Sequence, residues 1–388
     1  MSVKSRLLAA LLAAVSMYAA APFATDGVGV NIHFTDPRPG EMEMLAAGGF
    51  KWVRMDFHWA SIEKEKGVYD FSAYERLLAA LKPYGIRALF ILDYTHKFYD
   101  ADLPPHTDPG RQAFARFAAA SAKHFQGRGI LWEMWNEPNI KQFWKPAPNA
   151  ADYSKLAIEV GKAIRAAAPK ESYIGPATSR IDMPFLETCF KSGLLKYWDA
   201  VSVHPYRRAK EDPESTAEEY AKLRAMIARY APKGKAIPIY SGEWGYSDIS
   251  TGLTVGLQGK YLARQWLHNI ASGVTLSIWY DWHDDGADAR EREHHFGTVF
   301  FPYHAGSTPV YDPKPAYNAA RRLTAELVGY RFVRRLKAGT PEDYVLEFAR
   351  GRQKKFAAWT RAAEPHTVKL SGTRSLTLTG EPRYEMVE

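Results

Sequence analysis

The sequence predicts an α/β protein, a (β/α)₈ TIM barrel followed by a small C-terminal β-sandwich-like domain. Eight short apolar runs alternate with eight stretches that have helical spacing, within about the first 330 of 388 residues. Runs of four to seven apolar residues are typical of strands that are buried on both faces of a parallel sheet. This alternation favours a closed barrel over an open sheet. The predicted strands are Val28–Phe34, Trp52–Phe57, Ala88–Asp93, Leu131–Trp135, Ser172–Pro176, Ala200–His204, Pro238–Gly242 and Leu276–Asp281.

The stretches between these runs carry the apolar spacing of helices that pack on a sheet. Tyr74, Leu77 and Leu81 fall on one helical face. A longer pattern from Tyr153 to Ile164 repeats the spacing, and Pro169 follows its end. Asn149 or Asp152 is expected to cap the start of that helix. Each strand is thus followed by a helix, as a barrel requires.

The pattern changes after Val328. Short runs of alternating character are separated by Gly, Pro or charged turns, which is typical of antiparallel strands. We therefore expect a (β/α)₈ barrel over residues 25–328 and a small β-rich domain over residues 330–388. The predicted strands of the tail are at Val333, Val345–Phe348, Phe356–Thr360, Thr367–Leu370, Leu376–Thr379 and Tyr384–Val387.

The N-terminus has the order of a secretory signal, in which charged, apolar and small residues follow one another. Lys4 and Arg6 precede an apolar run that ends at Ala19-Ala20-Ala21. Residues 1–21 are therefore predicted to be a signal peptide, and the protein to be secreted or periplasmic. The run is shorter than the roughly 20 apolar residues of a membrane span, so no stable membrane insertion is expected. An uncleaved anchor is the alternative, because Pro22 follows the cleavage position.

Composition and charge exclude several classes of protein. The apolar and charged fractions are those of an ordinary globular protein. No nucleic-acid-binding motif is present, and we expect a monomer. Cys189 is the only cysteine, which excludes an intramolecular disulfide and suits a small buried residue. The net charge is +8, with basic clusters at 331–337 and 350–355. These clusters indicate either a solvated face or contact with an anionic glycan or membrane surface.

Chemically useful side chains follow the predicted strands at their C-terminal ends, where barrel enzymes place their sites. Asn136 and Glu137 follow strand four, His204 and Tyr206 mark strand six, and Glu243 lies at the end of strand seven. Two acids flanking a bond, with aromatic faces beside them, are what hydrolysis of a glycosidic bond needs. Glu133 has the same strand parity as Glu137 but lies deeper in the barrel, and we interpret it as structural.

The run Trp135-Asn136-Glu137-Pro138 resembles the W-N-E-P signature of the clan of retaining (β/α)₈ glycosidases that includes glycoside hydrolase families 5 and 39. The run from Ile239 to Gly245 resembles the nucleophile strand of that clan. The two glutamates are 243 − 137 = 106 residues apart, as three barrel units would place strands four and seven. The resemblance covers about residues 25–328, and it is greatest to the family 39 branch, including hydrolases associated with exopolysaccharide secretion.

The resemblance implies a role for each residue of the rim. Glu137 is the expected general acid and base, and Glu243 the expected nucleophile. The substrate-binding residues that it implies are Asn136 at the sugar 2-hydroxyl, Arg54 and Tyr206 on Glu243, His204 in the same network, and Trp282 or Trp279 beneath the reacting sugar. An arginine beside the nucleophile would keep it ionised.

The sequence therefore predicts a retaining β-glycosidase that hydrolyses a β-linked polysaccharide or oligosaccharide by double displacement, in an endo-acting manner. A catalytically silent glycan-binding or export-associated protein and a transglycosylase are the alternatives, because fold alone does not fix function. No cofactor and no metal are expected. The acidic loop from His283 to Phe296 fits no standard calcium loop, and we expect it to shape substrate access.

Overall fold

The computed structural model describes residues 22–209, 211–370 and 374–387. The predicted signal peptide, residues 1–21, lies outside the described residues. Within the described part of the chain, no helix combines the length and the apolar character that crossing a bilayer requires.

Eight parallel strands close into a barrel in sequence order, β1 to β8, which confirms the predicted fold class. The first strand ends at Asn31 and the last at Trp279, so both are shorter than predicted. Beyond these residues the chain leaves the ladder, and its apolar side chains pack in loops above the barrel. The strands are β1 (Val28–Asn31), β2 (Trp52–His58), β3 (Arg87–Asp93), β4 (Leu131–Met134), β5 (Ser172–Ser179), β6 (Ala200–His204), β7 (Ile239–Trp244) and β8 (Ser277–Trp279).

Amphipathic helices surround the barrel, with their apolar faces against the strands. The side chain of Asn149 accepts hydrogen bonds from the backbone N–H groups of Ala151 and Asp152, which makes it the N-cap of α5. The helices are α1 (Glu41–Ala47), α2 (Trp59–Ile62), α3 (Ser72–Leu81), α4 (Asp108–His124), α5 (Ala150–Ala167), α6 (Met183–Lys191), α7 (Ala217–Tyr230), α8 (Val255–Ala271) and α9 (Pro315–Leu327). Short 3₁₀ helices span Lys82–Tyr84, Asp100–Asp102, Leu194–Lys196, Pro213–Thr216 and Arg292–His295.

The core of the barrel region has two parts. A large cluster fills the space between the barrel strands and the helices, and it includes Cys189, which is fully buried as expected for a small apolar residue. A smaller cluster fills the interior of the barrel at the N-terminal ends of the strands, so the polar residues that follow on the same strands lie above a closed apolar floor. The members of this floor are Trp52, Leu89, Ile91, Leu131, Ile174, Ala200, Leu276 and Ile278.

A hairpin that the sequence analysis did not predict lies between β8 and α9. Its antiparallel strands are β9 (Val299–Tyr303) and β10 (Tyr311–Pro313). Phe300 and Phe301 are exposed on β9, and this irregular burial hides the strand pattern in the sequence.

The C-terminal region folds as antiparallel sheets, as predicted. The four-stranded sheet has the order β11 (Arg331–Arg335), β12 (Asp343–Arg350), β13 (Gln353–Thr360) and β16 (Arg383–Val387). The second sheet pairs β14 (His366–Lys369) with β15 (Ser375–Leu378). An apolar cluster formed by Val345, Phe356, Ala358, Val368, Leu376 and Leu378 joins the two sheets.

The four-stranded sheet is attached to the barrel through β13. The indole Nε1 of Trp359 donates to Oε1 of Glu214 at 2.6 Å, and the Trp359 side chain is fully buried. Arg361 forms an ion pair with Asp212 at 2.8 Å. The sheet therefore covers the segment that leads into α7, on the outside of the barrel.

Candidate active site

A cavity of about 1140 Å³ opens at the C-terminal ends of the barrel strands. Its walls come from β2 itself and from the ends of the other seven strands or the loops that follow them, so every unit of the barrel contributes. Of the residues that the sequence assigns to substrate or chemistry, Arg54, Asn136, Glu137, Tyr206 and Glu243 line this cavity. His204 lies directly beneath them and is fully buried.

Glu137 and Glu243 converge inside the cavity. Glu137 comes three residues after the end of β4, and Glu243 lies within β7. One carboxylate oxygen of each glutamate lies within 4.8 Å of the other. Their side chains are about one-tenth exposed, at 10% and 12%. Retaining glycosidases hold their two carboxyl groups about 5–5.5 Å apart, and inverting enzymes hold them further apart to admit a water molecule.

The backbone after β4 has an unusual conformation that turns Glu137 toward the cavity. Trp135 and Glu137 have φ angles of 67° and 44°, in the left-handed region that non-glycine residues seldom occupy. Such a residue costs about 1–3 kcal/mol, which the surrounding structure must offset. The Glu137 N–H donates to the Ala177 carbonyl at 2.9 Å. The Asn139 side chain accepts from the N–H of Ser179 at 2.8 Å and donates to its carbonyl at 3.0 Å. The loop after β4 is thus fixed to the end of β5.

Arg54 on β2 connects the polar groups at the floor of the cavity. Its Nε donates to Glu133 at 2.7 Å, and its Nη1 donates to Glu243 at 2.6 Å. Nη1 also donates to the amide oxygen of Asn31 at 3.2 Å, and Nη2 to that of Asn136 at 2.8 Å. Arg54 is 1% exposed. Five fixed donors in a planar fork suit this task, which a lysine ammonium could not perform.

Glu133 is buried between Arg54 and Ser202, and both donate to its carboxylate. It is one layer deeper than Glu243 and does not line the cavity. This placement agrees with the structural role that strand spacing predicts for it.

The surroundings of Glu243 favour its ionised form. Burial raises the pKa of this carboxyl, but His204, Arg54 and a hydrogen bond from Tyr206 outweigh burial, and the pKa lies below its ordinary value. The Tyr206 hydroxyl donates to Oε1 at 2.7 Å. The Arg54 charge and the Tyr206 hydroxyl act whatever the protonation state of His204. An ionised, held carboxylate is the form that a nucleophile requires.

His204 lies between Arg54 and Glu137 and contacts both. Its Nε2 lies 3.3 Å from Nη2 of Arg54, and its Nδ1 lies 3.0 Å from Oε1 of Glu137. Because a guanidinium only donates, Nε2 must be the acceptor. The proton of a neutral imidazole is then on Nδ1, where it is donated to Glu137. His204 therefore orients the acid/base candidate.

The family model "Glycosyl hydrolases family 39" matches residues 53–252, slightly more than half of the chain. The chain belongs to glycoside hydrolase family 39. A β-xylosidase from Geobacillus stearothermophilus is 27% identical over 237 residues, which cover 51% of this chain and 46% of the relative. The aligned part is thus about half the length of that relative.

Solved structures show the same fold. A family 39 glycoside hydrolase from Bacteroides cellulosilyticus superposes with a TM-score of 0.79 at 21% identity, over 94% of this chain and 82% of the other. A family 39 β-xylosidase from Caulobacter crescentus gives a TM-score of 0.66 at 20% identity, over 92% and 82%. Both superpositions extend beyond the barrel of this family 39 chain into its C-terminal sheets.

The prediction that Trp282 or Trp279 forms the floor beneath the sugar is wrong for this family 39 structure. Trp282 is 1% exposed and donates to Glu41 at 3.0 Å, behind the barrel wall. Trp279 is fully buried and donates to the Phe296 carbonyl at 3.1 Å. Ile278 points into the barrel, so strand alternation turns Trp279 outward. The aromatic rings that do line the cavity there are Tyr280 and Phe296, with centroids 5.3 Å apart.

An acidic pair that the sequence analysis missed lies at the ends of β2 and β3. Asp56 lines the cavity, and Asp93 is fully buried beside it. No described N–H or O–H group donates to either oxygen of Asp93. Burial, and then the charge of Asp56, raise the pKa of Asp93 well above its ordinary range. His58 lies 3.4 Å from Asp93 and 3.6 Å from Asp56. The sequence could have indicated Asp56, because it lies two residues after Arg54 on the same strand and therefore faces the same side.

A lysine from the start of α9 lies buried against the acidic loop after β8. Asp248, Asp284 and His295 bring potential ligand atoms within 4.8 Å of one another. The Lys314 ammonium is fully buried and lies 2.8 Å from Asp248 and 2.6 Å from Asp284. The lysine thus supplies the positive charge that these two carboxylates need. The loop also sends residues into the cavity wall, Arg290, Arg292, Glu293 and Phe296.

Proposed function

We propose that this protein is a retaining β-glycosidase that cleaves β-linked polysaccharide or oligosaccharide chains by double displacement. The observation that carries the proposal is the approach of the Glu137 and Glu243 carboxylates to within 4.8 Å. This spacing suits direct attack by one carboxylate, since it leaves no room for a water molecule in the attacking position. Membership of family 39 supports the same conclusion.

In the first step, Glu243 attacks the anomeric carbon while the glycosidic bond breaks, and Glu137 gives its proton to the leaving oxygen. The contacts of Arg54 and Tyr206 with the two oxygens of Glu243 keep this carboxylate charged and oriented before attack. The negative charge on Glu243 is lost as the covalent bond forms. This loss helps the neighbouring Glu137 to give up its proton in the same step.

In the second step, Glu137 is a carboxylate and takes a proton from water. The water oxygen bonds to the anomeric carbon, and Glu243 leaves as a carboxylate. Two inversions at the same carbon give net retention of configuration. The Nδ1–H of His204, 3.0 Å from Glu137, holds that carboxyl in place through both steps.

The size of the cavity supports a substrate of several sugars and an endo-acting mode. Its volume of about 1140 Å³ exceeds the roughly 300–1,000 Å³ of sites that enclose one small ligand. We further propose that the protein acts outside the cytoplasm, on the basis of the signal-like residues 1–21.

The test combines stereochemistry with product size. NMR of the first products from an aryl β-glycoside should show the β-anomer before mutarotation, and the α-anomer would contradict the retaining mechanism. A polysaccharide substrate should lose viscosity faster than reducing ends accumulate, whereas release of single sugars from the first minutes would exclude endo action. A transglycosylase would show itself by larger oligosaccharides at high substrate concentration.

A further inference from the structure

Charge is unevenly distributed around the cavity. On the side of β1 to β3 the wall carries Asp56, with the buried Asp93 behind it. Another side, formed by the loops after β5 and β6 together with the loop after β8, is rich in arginine, although Glu293 also lines it. The arginines of that side are Arg180, Arg207, Arg208, Arg290 and Arg292.

Three of these arginines have no carboxylate partner. Arg207 is held by Glu219, and Arg290 forms an ion pair with Asp288. By contrast, Arg180, Arg208 and Arg292 form no ion pair with any carboxylate in the described ranges, and all three are exposed. We call Arg180, Arg208 and Arg292 the arginine arc. Their guanidinium groups are the available anion-binding groups of the cavity wall.

The residues of the arginine arc come from the loops after β5, β6 and β8. The Arg180 N–H donates to the His204 carbonyl at 2.7 Å, and Arg208 comes four residues after His204. The guanidinium of Arg292 lies over the Phe296 ring, 5.2 Å from its centroid. The Phe296 ring in turn lies 6.4 Å from the ring of Tyr206. All three members of the arc line the same cavity.

Arg180 lies on the side of the acid. Glu137 follows β4, and β5 is the next strand of the barrel. Asn139 ties the Glu137 loop to Ser179, the residue immediately before Arg180. Because the acid protonates the leaving oxygen, sugars beyond the cleaved bond lie on its side of the cavity. The acidic wall at Asp56 is then left for the hydroxyl groups of the sugar that Glu243 attacks.

We propose that the substrate is an anionic glycan, and that the arginine arc binds carboxylate or sulfate groups of this glycan, with Arg180 on the leaving-group side of the cleaved bond. This inference rests on the proposed function for its orientation. A guanidinium presents paired N–H groups that match both oxyanions. Three cations of one sign on a cleft wall also raise the local concentration of a polyanion.

Binding is measured by calorimetry with the Glu243→Gln variant, so that hydrolysis does not interfere. The probes are glucuronoxylan and the same polymer after chemical reduction of its carboxyl groups, and then heparin and desulfated heparin. We expect an anionic polymer to bind roughly tenfold or more tightly than its neutralised form. The first pair reports carboxylate recognition and the second reports sulfate recognition. Equal binding within both pairs, or no binding by either anionic polymer, would overturn the proposal.

Matched triple variants distinguish the arginine arc from the general basicity of the protein. Arg180→Gln, Arg208→Gln and Arg292→Gln together should reduce the preference for the anionic polymer roughly tenfold. Arg116→Gln, Arg321→Gln and Arg352→Gln remove the same charge from exposed positions outside the cavity, and the preference should change less than about twofold. Equal losses in both triples would show diffuse attraction and overturn the proposal.

Two further measurements keep the result interpretable. Single Arg→Lys changes within the arginine arc keep the charge but lose the forked geometry, and they should give intermediate losses even if the triple variant folds poorly. Hydrolysis of an aryl β-glycoside by the unmodified enzyme tests the proposed function separately. An inactive protein that still prefers the anionic polymer would refute that function but keep the binding site.

Discussion

Arg54 Nη1 lies 2.6 Å from Glu243 Oε2, although 189 positions separate the two residues. The arginine belongs to β2 and the glutamate to β7, and only closure of the barrel brings them together. Arg54 simultaneously binds Glu133, Asn31 and Asn136. Its position is therefore fixed independently of Glu243, and the charge that lowers the pKa of the nucleophile candidate is present before any substrate binds.

Arg54→Lys should change the pH dependence of catalysis. An ammonium cannot reach Glu133 and Glu243 with directed donors at once, so the pKa of Glu243 should rise. Since the nucleophile must be ionised, the acid limb of kcat/KM on an aryl β-glycoside should move to higher pH. We expect kcat/KM at neutral pH to fall roughly 100-fold.

Arg87→Lys is the matched control for this change. Arg87 stacks on Trp52 at the opposite end of the barrel, 3.9 Å from the ring centroid, and does not line the catalytic cavity. The pH profile of kcat/KM for Arg87→Lys should match that of the unmodified protein. An unchanged acid limb in Arg54→Lys would mean that Arg54 does not set the ionisation of Glu243.

The barrel was predictable because its strands are buried on both faces and therefore form nearly continuous apolar runs. The run Ala200–His204 coincides with β6, and the other runs match the barrel strands to within a few residues. The hairpin of β9 and β10 was not predictable in the same way. Its residues pack around the loop after β8 and are partly exposed, so no simple alternation marks them.

For the site, local motifs predicted which glutamates converge, but not which aromatic rings accompany them. The choice between Trp279, Tyr280 and Trp282 depends on which way each side chain turns where β8 ends. Strand alternation turns Trp279 outward, but beyond the end of β8 the loop from 283 to 296 folds back and places Phe296 beside Tyr280, with ring centroids 5.3 Å apart. Such long-range packing leaves no periodic signal. Asp93 was missed for a related reason. Its burial depends on contacts with Asp56 and the neighbouring strand, which the local sequence around Asp93 does not show.

Asp93→Asn should make the stability of the protein less dependent on pH. The pKa of Asp93 is raised in the folded state, by burial first and then by Asp56. Folding therefore favours its protonated form, and the stability that this form contributes is lost as pH rises from the unfolded value near 4 toward the folded pKa. Asparagine mimics the protonated acid and can still donate to Asp56.

Thermal melts between pH 4 and 8 measure this effect. The melting temperature of Asp93→Asn relative to the unmodified protein should rise with pH. By contrast, Glu65→Gln, at an exposed carboxyl that forms no ion pair within the described ranges, should give a nearly constant difference. Because His58 also faces the pair, the measurement is repeated with His58→Gln to separate its titration. A pH-independent loss of stability in Asp93→Asn would show that this carboxyl is ionised when folded.

Trp359→Ala should weaken the protein without removing its chemistry. The indole is fully buried, stacks on Tyr344 with centroids 4.8 Å apart, and donates to Glu214, which Arg264 also binds. Truncating such a side chain costs about 3–5 kcal/mol. The free energy of unfolding in urea should fall by this amount, while activity on an aryl β-glycoside at low temperature stays within about twofold.

Val333→Ala in the same sheet is the control, because Val333 is 49% exposed and its loss should cost less than about 0.5 kcal/mol. Deletion of all residues after Gly329 should have the larger effect of exposing the surface beneath Trp359, which would make the barrel poorly soluble. A soluble, fully active barrel after this deletion would show that the C-terminal sheets are not needed for stability.

Glu137→Ala should separate acid catalysis from a structural role. Without this carboxyl a natural sugar leaving group cannot be protonated, so polysaccharide hydrolysis should nearly stop. An activated aryl group leaves with little protonation, and the glycosyl-enzyme on Glu243 should still form. Water then attacks slowly because the base is missing too. The expected time course is a burst of aryl alcohol release followed by slow turnover.

Added azide should accelerate that slow phase, because azide attacks the glycosyl-enzyme without needing a base. Its product should be the β-glycosyl azide, since Glu243 occupies the opposite face of the sugar. The contact with His204 Nδ1 would be lost in the same variant, so Glu137→Gln serves as a control that keeps a hydrogen-bonding group there. If only the hydrogen bond mattered, Glu137→Gln would restore polysaccharide hydrolysis. Because Gln cannot transfer the proton, we expect a burst, slow turnover and azide rescue in both variants. Equal losses of activity on natural and activated substrates would remove Glu137 from the acid/base role.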